Sequence, residues 1–158
     1  SVTFEQSYGG VEGDSASLAE LLAILSDLAG VPLRQDLAIT GSVNQLGQAQ
    51  AIGGARHKVE GFFRACTDRG ALTGTQGVVL PEANARNLVL RDEVVEAVAA
   101  GRFHVWTVRT IEDALALFTG MEAGTPGADG AYPASSVLGR VMATLEAFDR
   151  RLSPPASR

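Results

Sequence analysis

Four side chains in this sequence have types and settings suited to acyl-transfer chemistry: Ser15, Thr40, His57 and Lys58. Ser15 lies in Gly9-Gly10-Val11-Glu12-Gly13-Asp14-Ser15-Ala16-Ser17, a glycine-rich turn that runs into an apolar stretch. Ser17-x-x-Glu20 has the form of a capping box and predicts a helix start at Ser17. Leu18, Leu21, Leu22, Leu25 and Leu28 form one helical stripe, and Gly30 followed by Pro32 supplies the stop. Ser15 therefore stands at the mouth of a helix, where backbone N–H groups lack intrahelical partners and the dipole favours negative charge. An oxyanion formed beside it would be stabilised there. Serines at helix starts are ordinarily caps or turn residues, so a reactive one needs an activator. Two familiar motifs fail. The last glycine of G-x-S-x-G is replaced by Ser17, and no G-K-[ST] follows the glycines.

Two residues offer a base. Lys58 falls one turn into a stretch that follows Ile52-Gly53-Gly54, close to the apolar Val59, Phe62 and Phe63. That placement predicts a partly buried amine, and burial favours the neutral form. An ordinary lysine amine is only about 0.04% neutral at pH 7, and a working base needs a pKa of roughly 7–8. A neutral amine at Lys58 could take the Ser15 proton, with the Thr40 hydroxyl holding the nitrogen. His57 is the rival, through a Ser–His arrangement. Adjacent helical residues point about 100° apart, so only one of the two can face Ser15. Residue type and spacing leave that choice open.

The elements that must position these groups alternate. Leu37 to Val43 reads as a strand, Asn44 to Gly47 as a turn and Gln48 to Ile52 as the returning strand of a hairpin. A helix follows from Ala55 to Arg69, with Val59, Phe62, Phe63 and Cys66 inward. Gly77 to Pro81 is a short buried strand, Arg91 to Ala100 a helix, Phe103 to Val108 a strand, and Ile111 to Phe118 a helix starting at Thr110. Val2 to Tyr8 alternates as a strand already under way, without an initiator Met, as expected of a polypeptide processed from something longer. Strands alternating with helices predict an α/β layered domain, a mixed sheet with helices packed on it.

The division expected is a domain over 1–119, a Gly/Pro-rich linker over 120–136, an amphipathic helix over 137–152 and a disordered tail over 153–158. In that last helix Leu138, Val141, Leu145, Phe148 and Leu152 make a narrow seam, to pack on its own domain or on a neighbouring subunit. The chain has 158 residues, 46% of them hydrophobic, and a net charge of −5 with no basic run, which argues against a nucleic-acid partner. No apolar run reaches the length of a membrane span. The one cysteine, Cys66, reads as packing, and the lack of disulfides favours the cytoplasm. Two histidines without cysteine partners predict no metal site.

Four linked stretches occur in order: Phe4 to Ser17 with Glu12-Gly13-Asp14-Ser15-Ala16-Ser17, then Ile39-Thr40-Gly41-Ser42-Val43, then Ile52-Gly53-Gly54 with Lys58, then Gly77-Val78-Val79-Leu80-Pro81-Glu82-Ala83-Asn84. Together they resemble the proteolytic domain of the Lon family of ATP-dependent proteases, over about residues 2 to 119. The wording is nearest the archaeal and Lon-like branch. The resemblance implies a Ser–Lys dyad with Ser15 as nucleophile and Lys58 as general base and later acid. It implies that Thr40 contacts the lysine, that Asp14 and Glu12 shape the turn, and that backbone N–H groups of Ser15 and Ala16 form the oxyanion hole. His57 falls outside the pattern and is expected at the surface.

The same resemblance implies a serine endopeptidase acting on unfolded or damaged polypeptides, in a hexameric ring in the full-length protein. The chain itself would need no cofactor, and ATP and Mg would belong to an ATPase module ahead of it. A portion of the family's domain before the serine is also expected elsewhere, and its loss would leave a sheet edge open to self-association. Two other readings stand beside this one: a non-catalytic assembly module of the same fold, and a Ser–His hydrolase using His57.

Overall fold

The computed structural model describes residues 13–152. The strand expected over Val2 to Tyr8, the residues Gly9, Gly10 and Glu12, and the tail 153–158 lie outside the described residues. Helix α1 (Ser17–Ala29) buries Leu18 and Leu22 and ends at Gly30, whose φ of 62° is the left-handed stop expected there. It starts at Ser17 as expected, but without the capping box: Ser17 is the first helical residue rather than the cap, and the N-cap residue Ala16 makes no side-chain cap bond. The Ser17 hydroxyl instead accepts the Val43 N–H at 3.1 Å. A tertiary partner has taken the oxygen that a capping box would use. The box forms at α5 (Ile111–Thr119), where Thr110 and Asp113 hold each other's backbone N–H groups.

The stretch Leu37 to Val43 is not one strand. It breaks into β1 (Leu37–Ile39) and β2 (Ser42–Val43), and β2 pairs antiparallel with β3 (Ala49–Gln50) as a small separate hairpin. The break lies at Thr40-Gly41. A Cβ on Gly41 would stand 2.9 Å from Leu18 Cδ2 and 3.0 Å from Pro81 Cγ, so a side chain here would press on α1 and on Pro81, between which the backbone passes.

The main sheet has the order β1-β4-β5, with β4 (Gly77–Pro81) and β5 (His104–Val108) all running parallel to β1. Helix α2 (Ala55–Asp68) connects β1 and the hairpin to β4, and α3 (Glu82–Ala85) and α4 (Asp92–Ala99) connect β4 to β5. β4 is the central strand and is buried along its whole length, which accounts for its uninterrupted apolar text. Successive side chains on a strand face opposite ways, and the core divides accordingly. Leu37, Val79 and Val108 belong to one apolar cluster with Leu18, Leu115 and Val137. Val78 and Leu80 belong to a second, with Val59 and Phe63 of α2, Val94 of α4 and Phe103. Phe63 meets Phe103 edge to face at 5.2 Å. The sheet thus carries α1 and α5 on one face and α2 and α4 on the other, an α/β layered domain.

Residues 120–136 hold no helix or strand, yet they fold back on the first cluster. Ala123 is buried in it, and the carbonyls of Glu122 and Ala123 accept the Val137 and Leu138 N–H groups. Helix α6 (Val137–Leu152) then packs its first turns on α1, burying Val137, Gly139 and Val141. Its later seam residues Leu145, Phe148 and Leu152 are exposed. Packing on the chain's own core therefore accounts for only the first half of the seam.

Candidate functional site

The two helical layers meet beyond the carboxyl end of β1. Ser15 sits on the turn entering α1, on one face of the sheet, and Lys58 sits in the first turn of α2, on the other. The turn is held tightly. The Ser15 carbonyl accepts the Gly41 N–H at 2.9 Å and the Thr40 hydroxyl at 3.1 Å, while the Leu18 N–H donates to the Gly41 carbonyl at 3.1 Å. Thr40 in turn is tied to the central strand by its N–H to the Val79 carbonyl at 3.0 Å. Asp14 accepts the buried Ser42 hydroxyl at 2.6 Å, one residue from the serine. Gly13 has a φ of 86°, a backbone state for which glycine is suited.

The Lys58 amine lies 2.7 Å from Ser15 Oγ and 3.0 Å from Thr40 Oγ1. The Thr40 hydroxyl proton is committed to the Ser15 carbonyl, so its lone pairs face the amine. Thr40 is 7% exposed and acts as a fixed post between the two groups. Lys58 itself is exposed, against the expectation of a partly buried amine. The reason is local. Val59 alone of the pair turns into the core, fully buried, and Lys58 points across the rim of the sheet rather than into it.

His57 is also exposed, and it lines a different cleft with Glu60, Arg64, Asp68 and Arg91. The helical offset between neighbours gives Ser15 to Lys58 and turns His57 away. Cys66 is buried among packing residues, and burial pushes its thiol up from its ordinary range, the setting of an inert cysteine. Ala16 forms the helix entry, and Glu12 lies outside the described residues.

Three contributors are not marked by their sequence pattern. Gly41 and Ser42 have the pattern of strand interior, although one is the crossing point and the other the partner of Asp14. Asn84 follows a strand without an evident role, yet its side-chain amide donates to the Ile52 carbonyl at 2.9 Å and its oxygen accepts the Ile52 N–H at 3.1 Å. The one signal for it was an amide side chain three residues after the proline that stops a buried strand.

An α/β domain that brings a serine hydroxyl and a lysine amine within hydrogen-bond reach is equipped for hydrolytic acyl transfer. The family model of the Lon protease C-terminal proteolytic domain matches residues 9–119, and the chain belongs to that family of peptidase domains. Among curated relatives, a Lon protease homolog of Escherichia coli is 56% identical over 117 residues, covering 74% of this chain and 20% of the relative. A Lon protease homolog of Haemophilus influenzae is 47% identical over 122 residues, covering 77% and 20%. An archaeal Lon protease of Thermococcus kodakarensis is 37% identical over 114 residues, covering 72% and 16%. The chain thus spans about a fifth of the length of the relatives it matches.

Proposed function

We propose that this domain is the serine endopeptidase part of an ATP-dependent Lon-like protease, working through a Ser15–Lys58 dyad on unfolded or damaged polypeptides. The observation that carries the reading is the 2.7 Å approach of the Lys58 amine to Ser15 Oγ across 43 positions of sequence. In the first step the Ser15 Oγ–H proton passes to neutral Lys58 as Oγ bonds to the scissile carbonyl carbon. The developing oxyanion is met by backbone N–H groups of Ser15 and Ala16 at the entrance to α1. The C–N bond then breaks as Lys58 returns its proton to the leaving amine, leaving an ester on Ser15. Water attacks that ester, losing a proton to Lys58, and the proton goes back to Oγ as the C–O bond breaks.

Thr40 orients the amine throughout, since its own hydroxyl proton is already directed at the Ser15 carbonyl. Asp14, through Ser42, keeps the turn in shape, and Glu12 is assigned to the same turn. The full-length protein is proposed to work as a hexameric ring in the cytoplasm, with no nucleic acid or membrane segment engaged by this chain.

ATP and Mg are assigned to an ATPase module outside this sequence. The residues here do not suit them: the sequence has no Gly-Lys-Ser/Thr loop, and among the described residues no three His, Cys, Asp or Glu side chains converge on a cation position. No step is routed through either.

Labelling of the full-length protein by a serine-directed fluorophosphonate tests the dyad. Ser15 should be the labelled residue, and both Ser15→Ala and Lys58→Ala should abolish labelling and peptide cleavage, while His57→Ala should keep both. Labelling that survives Lys58→Ala but not His57→Ala would transfer the base to His57. An unmodified Ser15 in the intact protein would return the domain to the role of an assembly module.

A further inference from the structure

The amine reaches Ser15 only if the first turn of α2 is seated correctly, and the approach to that turn is weakly held by its own residues. Gly53 and Gly54 precede it, both exposed, and a Cβ on either would meet nothing within 4 Å. Gly54 has a φ of 69° and caps the helix with its backbone alone, its carbonyl accepting the Lys58 N–H at 3.1 Å. Buried Val59 and Phe63 fix the body of α2 but lie inward of this turn.

The first anchored residue before the glycines is Ile52. Both of its backbone groups are taken by one side chain, Asn84: the amide N–H donates to the carbonyl at 2.9 Å and the amide oxygen accepts the N–H at 3.1 Å. Asn84 belongs to α3, which begins directly after Pro81 of the buried central strand. That same strand holds Thr40 through the Val79 carbonyl. The two partners that define where the amine can sit, the Thr40 hydroxyl and the start of α2, are therefore both referenced to β4.

We propose that Asn84 is a positioning residue for Lys58. It acts as a two-point clamp that carries the rigidity of β4 across a glycine hinge to the turn bearing the amine. The inference rests on the Ser15–Lys58 reading and adds to it a group that touches neither substrate nor reacting atoms. A clamp of this kind sets rate rather than binding, because displacing a reacting group by about 1 Å can cost about 10²-fold.

The test uses the full-length protein, with Asn84→Ala and Asn84→Asp, and a serine-directed fluorophosphonate as probe. Asn84→Asp keeps the shape and the acceptor for the Ile52 N–H but turns an oxygen toward the Ile52 carbonyl, so it remains informative should the alanine variant fold poorly. The expected result is a labelling rate constant at saturation lower by about 10- to 100-fold, with an unchanged half-saturating concentration, an unchanged melting temperature and full labelling at long times. An unchanged rate constant in both variants overturns the proposal. So does a loss of rate matched by an equal loss of labelled fraction and a lowered melting temperature, which marks a merely structural residue. Lys58→Ala, run alongside, separates the two inferences. If it is labelled like the parent protein the dyad itself fails, whereas a dead Lys58→Ala beside fully active Asn84 variants removes the clamp alone.

Discussion

The two arms of the site are built in opposite ways. The serine turn is over-determined: its carbonyl has two donors, its neighbour Asp14 holds a buried hydroxyl, and Gly41 locks it against α1 and Pro81. The lysine arm is sparse. Lys58 is an exposed residue, its amine has two polar contacts, and a pair of glycines with nothing packed on them leads into its helix. A nucleophile beside an oxyanion hole must be fixed before substrate arrives, because reorganisation at that point is costly. On the proposed reading Lys58 is the base, and its arm must be held from outside: by Asn84, which grips Ile52 before the glycines, and at the amine by one post. Thr40, bonded to both arms, is that post.

Four substitutions or conditions sharpen or break this contrast. The largest effect should come from the lysine arm. Lys58→Arg keeps a cation near Ser15 but cannot supply a neutral amine, so peptide cleavage by the full-length protein should fall by about 10³-fold or more, on the scale of losing a member of a catalytic set. Substantial activity in that variant would remove proton transfer from Lys58.

Thr40→Val tests the post. It keeps shape and removes the hydroxyl, and kcat should drop by about 10- to 100-fold, at or below the low end of what a positioned proton-transfer group contributes. The melting temperature should move little, because the Ser15 carbonyl keeps its Gly41 donor. The serine arm should respond in stability instead. Gly41→Ala drives a methyl group against Leu18 and Pro81 and should cost about 1–3 kcal/mol by denaturant unfolding. If it is neutral there, the turn is looser than its hydrogen bonds suggest.

The smallest effect lies outside both arms. Hydrogen bonding and charge from Arg34, 2.7 Å away, hold the Asp36 carboxyl below its ordinary range. A lowered pKa in the folded state means that this pair stabilises the domain above the ordinary carboxylate range and loses that contribution as pH falls through the depressed value. Unfolding midpoints of Asp36→Asn and the parent protein should converge at acid pH and separate near neutrality. The pair is partly exposed, so the separation should be slight.

Much of the fold was legible in the residues. The apolar stripe and Gly30 set α1, the unbroken run Gly77 to Pro81 marked the central strand, and Thr110 with Asp113 announced α5. These are local signals, carried by residues within a turn or two of each other. The errors fell where a distant partner overrode local preference. Ser17 and Glu20 have the letters of a capping box, but Val43 arrives from the hairpin and takes the hydroxyl. Leu37 to Val43 alternates well enough for one strand, but Gly41 must slip between α1 and Pro81.

The sequence by itself determined which groups could react, the helix starts that carry Ser15 and Lys58, and the family to which the order of motifs belongs. The order of motifs already pointed to Lys58 rather than His57; the tertiary structure supplied the 2.7 Å contact behind that choice, and it alone decided that Lys58 is an exposed residue and that Asn84 holds the approach to its turn. The reason is geometric. Periodicity fixes the angle between neighbours on one helix, but which of them meets Ser15 depends on how two helices on opposite faces of a sheet are rotated about its edge. That rotation is set by the packing of Val59, Leu18 and β4, whose side chains are far apart in the chain and touch only when it is folded.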